Sequence, residues 1–395
     1  MNISYIASQT RIPSRSANSI HVMKMCSAYA SLGHCVTLFI PDNDKTLGDA
    51  GEDVFDYYGV PSHFLIKRIR IPWGERTELI SSAFLMPLAA KMTRPHFIHV
   101  RGIAAAWSAV RLFRLPTLFE LHDSPTHTPN YFRLFKDMAS LSQRCGLVVV
   151  THALASHLRT LITSDVPIVV APDGVDSAWL DDNEDIIDTR AKVGLNNEKR
   201  RIAVYTGHLY EGRGIELIIE IAPKLPDHLF LIVGGADSDL SRYTRVAGQV
   251  PNVKFLGFKP PRDVRLYQQA ADVLLMPYED IVRVIGNRGN SATFASPIKM
   301  FEYLAAGRPI LASTLPILGE VLRHGENALL IPYRDPSGWV QSLNLLRSNL
   351  ELADSIGKKA REDAAMYTWE NRVRNILSLV SNFRDLRSDS SKRYC

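Results

Sequence analysis

Residues 296–313, SPIKMFEYLAAGRPILAS, place two residues where a ligand would make sense of them. The pattern predicts a short helix running into a buried strand. Ser296 is a good N-cap, and Pro297 suits the first helical position, where its missing N–H costs nothing. Ala305, Ala306 and Gly307 supply a helical end with a left-handed stop, and residues 309–312 read as a strand. Lys299 is then a cation in the first helical turn, where it opposes the helix dipole unless an anion sits there too. Helix N-termini bind phosphate through their backbone N–H groups. Glu302, one turn on, would lie near the same mouth, where a carboxylate suits a diol such as a nucleotide ribose. The plain alternative is an amphipathic helix with a solvated lysine.

A second candidate is the stretch from Gly207 to Gly214, GHLYEGRG, which follows a predicted strand and opens a helix. Its glycines match neither the dinucleotide fingerprint nor a P-loop. They would let backbone N–H groups approach a ligand, and Arg213 could grip phosphate with its planar fork. Alone, such a stretch is more often an ordinary turn. Two phosphate-compatible helix mouths at one sheet edge favour a nucleotide diphosphate over a small neutral ligand.

In the first half, His122 follows a strand directly in ELHDSP and would face a cleft, free to hydrogen-bond a polar substrate. The alternative is a histidine satisfied by its neighbour Asp123. The polar loop Gln9 to Ser19 brings Ser16 and Asn18, with His21 just beyond, as cleft-lining candidates or solvated positions. The segment Leu65 to Arg76 combines Lys67, Arg68, Arg70 and Arg76 with Ile and Trp73. It could touch an anionic membrane surface, or be a strand with a solvated face.

These residues need elements to hold them. The chain has 395 residues, 46% hydrophobic and 22% charged, which suggests a soluble protein of two domains. A net charge of +5 permits an acidic ligand but demands none, and there is no basic nucleic-acid arm. Cys26, Cys35, Cys145 and Cys395 show neither metal spacing nor a disulfide framework, so a reducing, cytoplasmic setting is expected. No secretory signal is visible, and no apolar run reaches the ~18 residues needed to span a bilayer. Residues 79–92 come nearest and are broken by Ser81, Ser82 and Pro87.

Short apolar strands alternate with helices in two rounds, which predicts two doubly wound α/β domains facing a cleft. The first round runs from the strand at Ile3 to the one at Ile168. The turn Pro172-Asp173-Gly174 and an acidic patch over 181–188 mark the boundary. The second runs from Ile202 to Ile331, with helices beginning near Ile215, Leu240, Arg262, Pro297, Leu315 and Pro336. Two helices, 351–366 and 369–383, precede a polar tail. The expected domains are 1–172, 173–366 and a final segment 367–395.

Together these motifs resemble the GT-B-fold retaining glycosyltransferases of family 4, the glycogen-synthase-like group. The resemblance runs over nearly the whole chain, through Gly207 to Gly214, PDGVD at 172–176, EYLAAGRPILAS, and Tyr367-Thr368-Trp369-Glu370 before a last helix. It implies that the last helix crosses back to the first domain. It implies that Arg213 stands on the phosphate-binding lysine and His208 on its usual arginine partner. Glu302 falls on the second acid of the Glu-x7-Glu pair, and Phe294 occupies the place of the first. The variant Ser296-Pro297-Ile298-Lys299 would hold the pyrophosphate through backbone N–H groups, and it occurs in bacterial surface-polysaccharide transferases. His122 falls on the sugar-contacting histidine, and Gly257 and Phe258 lie where the base is held.

The implied catalytic set is His122, Arg213 and Lys299, with Ser16, Asn18 and His21 on the acceptor side. The implied co-substrate is a nucleotide-diphosphate sugar, a UDP-sugar ahead of a GDP-sugar, with no cofactor and no metal. Partners would be that donor and a saccharide or lipid-linked acceptor, with no nucleic acid. A peripheral contact at the inner face of a membrane would fit the cationic segment. Three other readings stay open: a nucleotide-sugar epimerase of the same fold, a non-catalytic nucleotide-sugar-binding subunit, and, weakest, a nicotinamide dehydrogenase.

Overall fold

The computed structural model describes residues 1–42, 53–70, 75–181, 184–248, 250–282, 292–381 and 383, and for 75–81 the backbone only. The expectations for Trp73, the Arg76 side chain, positions 182–183 of the acidic patch and the polar tail 389–395 fall outside this description. The chain forms two compact units, Met1–Asp173 with Trp369–Cys395, and Gly174–Thr368.

The first unit is built on seven strands: β1 (Asn2–Ala7), β2 (Cys35–Asp42), β3 (Leu65–Arg70), β4 (Phe97–Arg101), β5 (Thr117–Leu121), β6 (Cys145–Val149) and β7 (Ile168–Val170). They pair in parallel in the order β3-β2-β1-β4-β5-β6-β7. The β5 and β6 residues are buried throughout, as strands covered on both faces must be. At the edge, β3 carries exposed Leu65, Lys67, Arg68 and Arg70, and edge charges discourage pairing with another chain. The helix Trp369–Val380 packs on the helix Ala17–Ser31 and belongs to this unit. Its buried Trp369, Val373, Ile376 and Val380 fall on one face at helical spacing.

The second unit has six strands: β8 (Arg201–Thr206), β9 (His228–Val233), β10 (Val253–Gly257), β11 (Val273–Met276), β12 (Ile310–Ser313) and β13 (Leu329–Ile331). All pairs are parallel, in the order β10-β9-β8-β11-β12-β13. Phe230, Phe301, Tyr303 and Trp339 are wholly buried in its core. In a doubly wound sheet, a crevice opens at the strand C-termini where the order reverses. The reversals fall between β1 and β4 in the first unit and between β8 and β11 in the second.

Several expectations need correction. The helix expected at Leu315 is a run of turns, in which three-residue bonds such as Leu318 N–H to the Leu315 carbonyl at 3.0 Å mix with four-residue ones such as Gly319 N–H to the same carbonyl at 3.0 Å. The helix expected from Leu240 starts at Asp237, since Asp237 and Asp239 favour its first turn. Pro297, not Ser296, is the N-cap of the helix Ile298–Ala306, with extended backbone at φ −74° and ψ 119° and no side-chain cap. Cys26 and Cys145 are free and buried, but Cys35 is disulfide-bonded, which cysteine spacing does not reveal.

The turn after β8 fits against the end of β11 with no space to spare. Gly214 has φ +76°, and a Cβ there would lie 1.8 Å from the Pro277 carbonyl oxygen. Gly214→Ala is expected to destabilise the protein by about 3 kcal/mol or more in chemical denaturation. An unchanged midpoint would show that the turn can draw back.

Candidate functional site

In the second unit, the site is built around the β8/β11 crevice. β8 ends at Thr206, and Gly207 follows at φ +120°, placing its Cα where a side chain would press on Lys299 Nζ. The helix Ile298–Ala306 enters from the other side, so Lys299 falls in its first turn beside uncapped N–H groups. Lys299 Nζ is buried and makes no hydrogen bond among the described residues. It lies 3.7 Å from the ring centroid of Tyr205 and 4.9 Å from that of Tyr278. Arg213 stacks 4.5 Å above the same Tyr278 ring, with its Nε buried and unpartnered. Burial first, and then the Arg213 charge, hold the Lys299 ammonium well below its ordinary pKa, with Glu302 partly opposing.

Two cations thus crowd one buried spot with no ion pair to either among the described residues. Aromatic faces replace a carboxylate, giving each cation modest support of about 0.5–2 kcal/mol. Such an arrangement is costly without an anion. Glu302 is positioned by Gln268, whose Nε2 donates to it at 3.0 Å and to Thr206 Oγ1 at 3.2 Å. The Tyr303 hydroxyl accepts from the Thr206 N–H at 2.9 Å, tying the helix to the end of β8.

Gly207, Arg213, Lys299 and Glu302 are therefore brought together. His208 instead stacks on Tyr210, centroids 4.9 Å apart and rings 8° from parallel. Gly257 closes β10 at φ +68°, and its carbonyl accepts from Gly234 N–H at 2.8 Å; Phe258 follows it directly. Ser296 is buried just before the helix, and Ile298 is its first residue. The sequence reading missed Tyr205, in β8, and Tyr278, just beyond β11, because buried tyrosines there read as core.

The first unit gathers a different set. Glu120, in β5, is a wholly buried carboxylate with partners on both oxygens. His122 Nε2 donates to Oε1 at 2.5 Å, Arg372 Nη2 at 3.0 Å, and His21 Nε2 lies 2.7 Å away. His99 Nε2 lies 2.7 Å from Oε2, and the Tyr5 hydroxyl donates at 3.3 Å. Burial alone would raise the Glu120 pKa, but Arg372, His21 and the hydrogen bonds outweigh it and hold it well below the usual range.

An ionised carboxylate only accepts, so His122 and His99 must carry their protons on Nε2. Tyr29 then donates to His99 Nδ1 at 2.9 Å. Burial and the Arg101 charge push His122 down to about 4. His122 is therefore neutral at pH 7 and presents Nδ1 as an acceptor.

His122 is satisfied by Glu120 and not by Asp123, which instead accepts from Ser124 N–H at 2.7 Å and contacts His127 at 2.9 Å. His21 is no loop residue: it sits on a helix, 1% exposed, with Nδ1 2.9 Å from Asp173 Oδ1. Ser16 is used as the N-cap of that helix. Asn18 donates to Thr10 Oγ1 at 2.8 Å, and its Oδ1 is buried without a partner among the described residues. His21, His122 and Asp173 could offer three atoms to a metal ion, though carboxylates already hold the nitrogens named above. Glu120 and Arg372 carried no role in the sequence reading; only the Glu-x-His alternation in β5 hinted at one face.

Comparison with known proteins agrees with this picture. A family model described as glycosyl transferases group 1 matches residues 200–349, and one described as glycosyltransferase family 4 matches residues 19–179. The spore coat protein SA of Bacillus subtilis is 25% identical over 211 residues, 49% of this chain and 52% of that protein. A D-inositol 3-phosphate glycosyltransferase of Corynebacterium urealyticum is 25% identical over 192 residues, 45% of this chain and 42% of the relative. The chain thus spans about half the length of these curated relatives in the matched stretches.

Among solved structures, sucrose-phosphate synthase from Thermosynechococcus elongatus superposes with TM-score 0.74 at 19% identity, covering 98% of this chain and 100% of that one. The Anabaena protein HepE in complex with UDP gives TM-score 0.70 at 16% identity, covering 96% and 100%. These likenesses establish the fold.

Removing the Glu120 charge leaves Arg372, 2% exposed, without its carboxylate. Glu120→Gln should cost about 3–5 kcal/mol of stability at neutral pH. The Glu120 pKa is lower in the folded state, so its stabilisation is lost as pH falls through that value. The His122 pKa falls from 6.5 to about 4 on folding, so the unfolded chain binds the proton first and stability also declines from pH 6.5 down to 4. Urea titrations below pH 4.5, where the Glu120 stabilisation is lost, should show a shallower acid loss in the variant; an unchanged profile would contradict the assignment.

Proposed function

The chain belongs to the group 1, family 4 glycosyltransferases with the GT-B fold, and on that premise we propose that it moves a sugar from a nucleotide-diphosphate donor to an acceptor with retained configuration. The observation that carries this reading is the buried, unpartnered ammonium of Lys299 beside Arg213 at the uncapped N-terminus of the helix Ile298–Ala306. That spot needs two negative charges, and a diphosphate supplies them together with acceptors for the helix N–H groups.

In this reading the diphosphate lies between Arg213 and Lys299, against Gly207 and the backbone from Ser296 to Lys299. Glu302 accepts from the ribose hydroxyls, held in place by Gln268. Gly257 and Phe258 flank the base, and His208 borders the pocket. UDP is the preferred nucleotide, a choice supported by the HepE complex with UDP. As the sugar–phosphate bond ionises, charge builds on the leaving diphosphate, where Arg213, Lys299 and the helix N–H groups stabilise it. The departing phosphate oxygen takes the proton of the incoming hydroxyl.

Unit 1 handles the acceptor side. His122 accepts a hydrogen bond from a sugar hydroxyl at Nδ1, fixed in that tautomer by Glu120, with Ser16, Asn18 and His21 framing the same strand ends. The domain reading of 1–172 for acceptor, 173–366 for donor and 367–395 for the returning helix belongs to this proposal. So does surface polysaccharide or glycolipid assembly, motivated by the SPIK variant and by exposed Lys67, Arg68 and Arg70 on β3. No helix among the described residues is long and apolar enough to cross a membrane. A second reading, a nucleotide-sugar-binding subunit without turnover, is favoured by Phe294 in place of an acid.

Arg213→Ala and Glu302→Ala should each weaken UDP binding by roughly 10- to 100-fold, the value of a charge-assisted hydrogen bond or two, measured by calorimetry. Wild-type affinity in both would sink the donor site. Full binding in the wild type with no transfer to any acceptor would favour the subunit reading.

A further inference from the structure

We infer that the first unit docks on an anionic lipid surface. It does so through the outer face of the helix Glu75–Met92 and through the turns that end this helix and the helix Ile103–Arg111. The inference goes beyond the transferase reading and does not depend on it.

A helix that is apolar all round is normally buried. From Ser82 to Met92 the first of these helices reads SAFLMPLAAKM, with Ser82 and Lys91 the only polar residues. Ser82, Ala83, Met86 and Ala90 are buried. Phe84, Leu85 and Leu88 are exposed instead, and Met92 is 79% exposed. At about 100° per residue, these four and Lys91 fall within about 120° of one helix face. Leu112, also exposed, follows the helix Ile103–Arg111, which packs on the first. An apolar face of this kind marks a surface that something else covers.

The charges beside it say what. Lys91 and Arg111 lie in the last turns of the two helices, where the dipole favours a cation. Arg94 and Arg114 follow at φ +51° and +55°, the only residues other than glycine with positive φ among the described residues. Left-handed backbone strains a residue that has a Cβ, and glycine would end either helix without that strain. Arginine at both stops thus keeps a charge there at a structural cost. The two turns adjoin: they lead into β4 and β5, which pair Ile98 with Thr117, and Lys91 Nζ lies 5.9 Å from the Phe113 ring centroid. Lys91, Arg94 and Arg114 make no ion pair among the described residues, while Arg111 stands 3.7 Å from Asp137. Residues 82–96 and 103–117 contain no acid. Anionic headgroups complete such cations, and the acyl region beneath takes apolar side chains without a matching groove. A second copy would bring the same cations together across an isologous interface, which opposes that occupant. The helix lies on the bilayer, since no helix among the described residues is long and apolar enough to cross it.

The test is flotation of the full chain with vesicles of phosphatidylcholine, alone and with phosphatidylglycerol added. The wild type should float with the anionic vesicles and be released as salt rises. Leu88→Glu with Met92→Glu should weaken that binding about tenfold or more. Arg94→Gly with Arg114→Gly should also weaken it about tenfold or more. In that second variant the melting temperature should hold or rise, because glycine relieves the positive φ. Arginines with a purely structural part would not give that split. Lys67→Gln with Arg70→Gln, on β3, should cost less binding than either.

No flotation of the wild type, or equal flotation of all the variants, overturns the inference. So does binding lost only with the β3 cations, or a dimer in sedimentation that Leu88→Glu with Met92→Glu dissolves. Should a variant fail to fold, hydrogen exchange of the wild type decides. Residues 84–94 and 112–114 should gain protection on anionic vesicles, and unchanged exchange there overturns the surface. UDP titrated into the same samples separates the two claims: vesicle binding without UDP binding removes the donor reading and leaves the surface standing.

Discussion

An ammonium group buried without a carboxylate is the constraint from which the chemistry of the second unit follows. Lys299 is placed in the first turn of a helix, where the dipole repels it, and against Tyr205, where water cannot reach its Nζ. Folding alone would not favour that position. Gly207 gives up its side chain to make room, and Gly214 lets the turn close on β11. Arg213 adds a second positive charge where a structural site would have put an acid. Each choice raises the free energy of the empty site, and on the proposed reading a diphosphate offsets it.

The first unit solves the opposite problem. Glu120 is a buried anion, and the fold surrounds it with donors drawn from β1, β4, the turn after β5, the first helix and the last. One carboxylate thereby sets the tautomers of His99 and His122 and anchors the final helix through Arg372. The same group that holds the helix in place also decides which nitrogen His122 shows to a substrate. Burial and charge at a strand end serve stability and positioning at once, which is why the two cannot be altered independently.

Much of this was legible in the sequence. The apolar runs ending at Ala7, Leu121, Tyr205 and Met276 mark parallel strands because nothing else buries such short stretches between helices. Lys299 and Glu302 stood out because a lysine at a helix start and an acid one turn later are locally unfavourable or idle without a ligand. The rest depended on long-range contacts. Nothing near Arg372 signals that it meets Glu120, 252 positions away. Tyr205 and Tyr278 look like core until Lys299 and Arg213 are laid across them. The shift of the helix start from Pro297 to Ile298 is a local effect: Pro297 keeps its ψ extended, so the cap that Ser296 would have made is absent.

The central claim is that the Lys299 ammonium is completed by a nucleotide diphosphate. Burial and the Arg213 charge lower its pKa in the free protein, so at any pH where part of the free amine is neutral a bound diphosphate draws a proton onto it. Calorimetry of UDP binding in buffers of different ionisation enthalpy reads that proton directly. The account predicts net proton uptake in the wild type, with affinity falling as pH rises, and loss of the uptake in Lys299→Met. Proton-neutral binding in the wild type, or the same uptake in the variant, would contradict it.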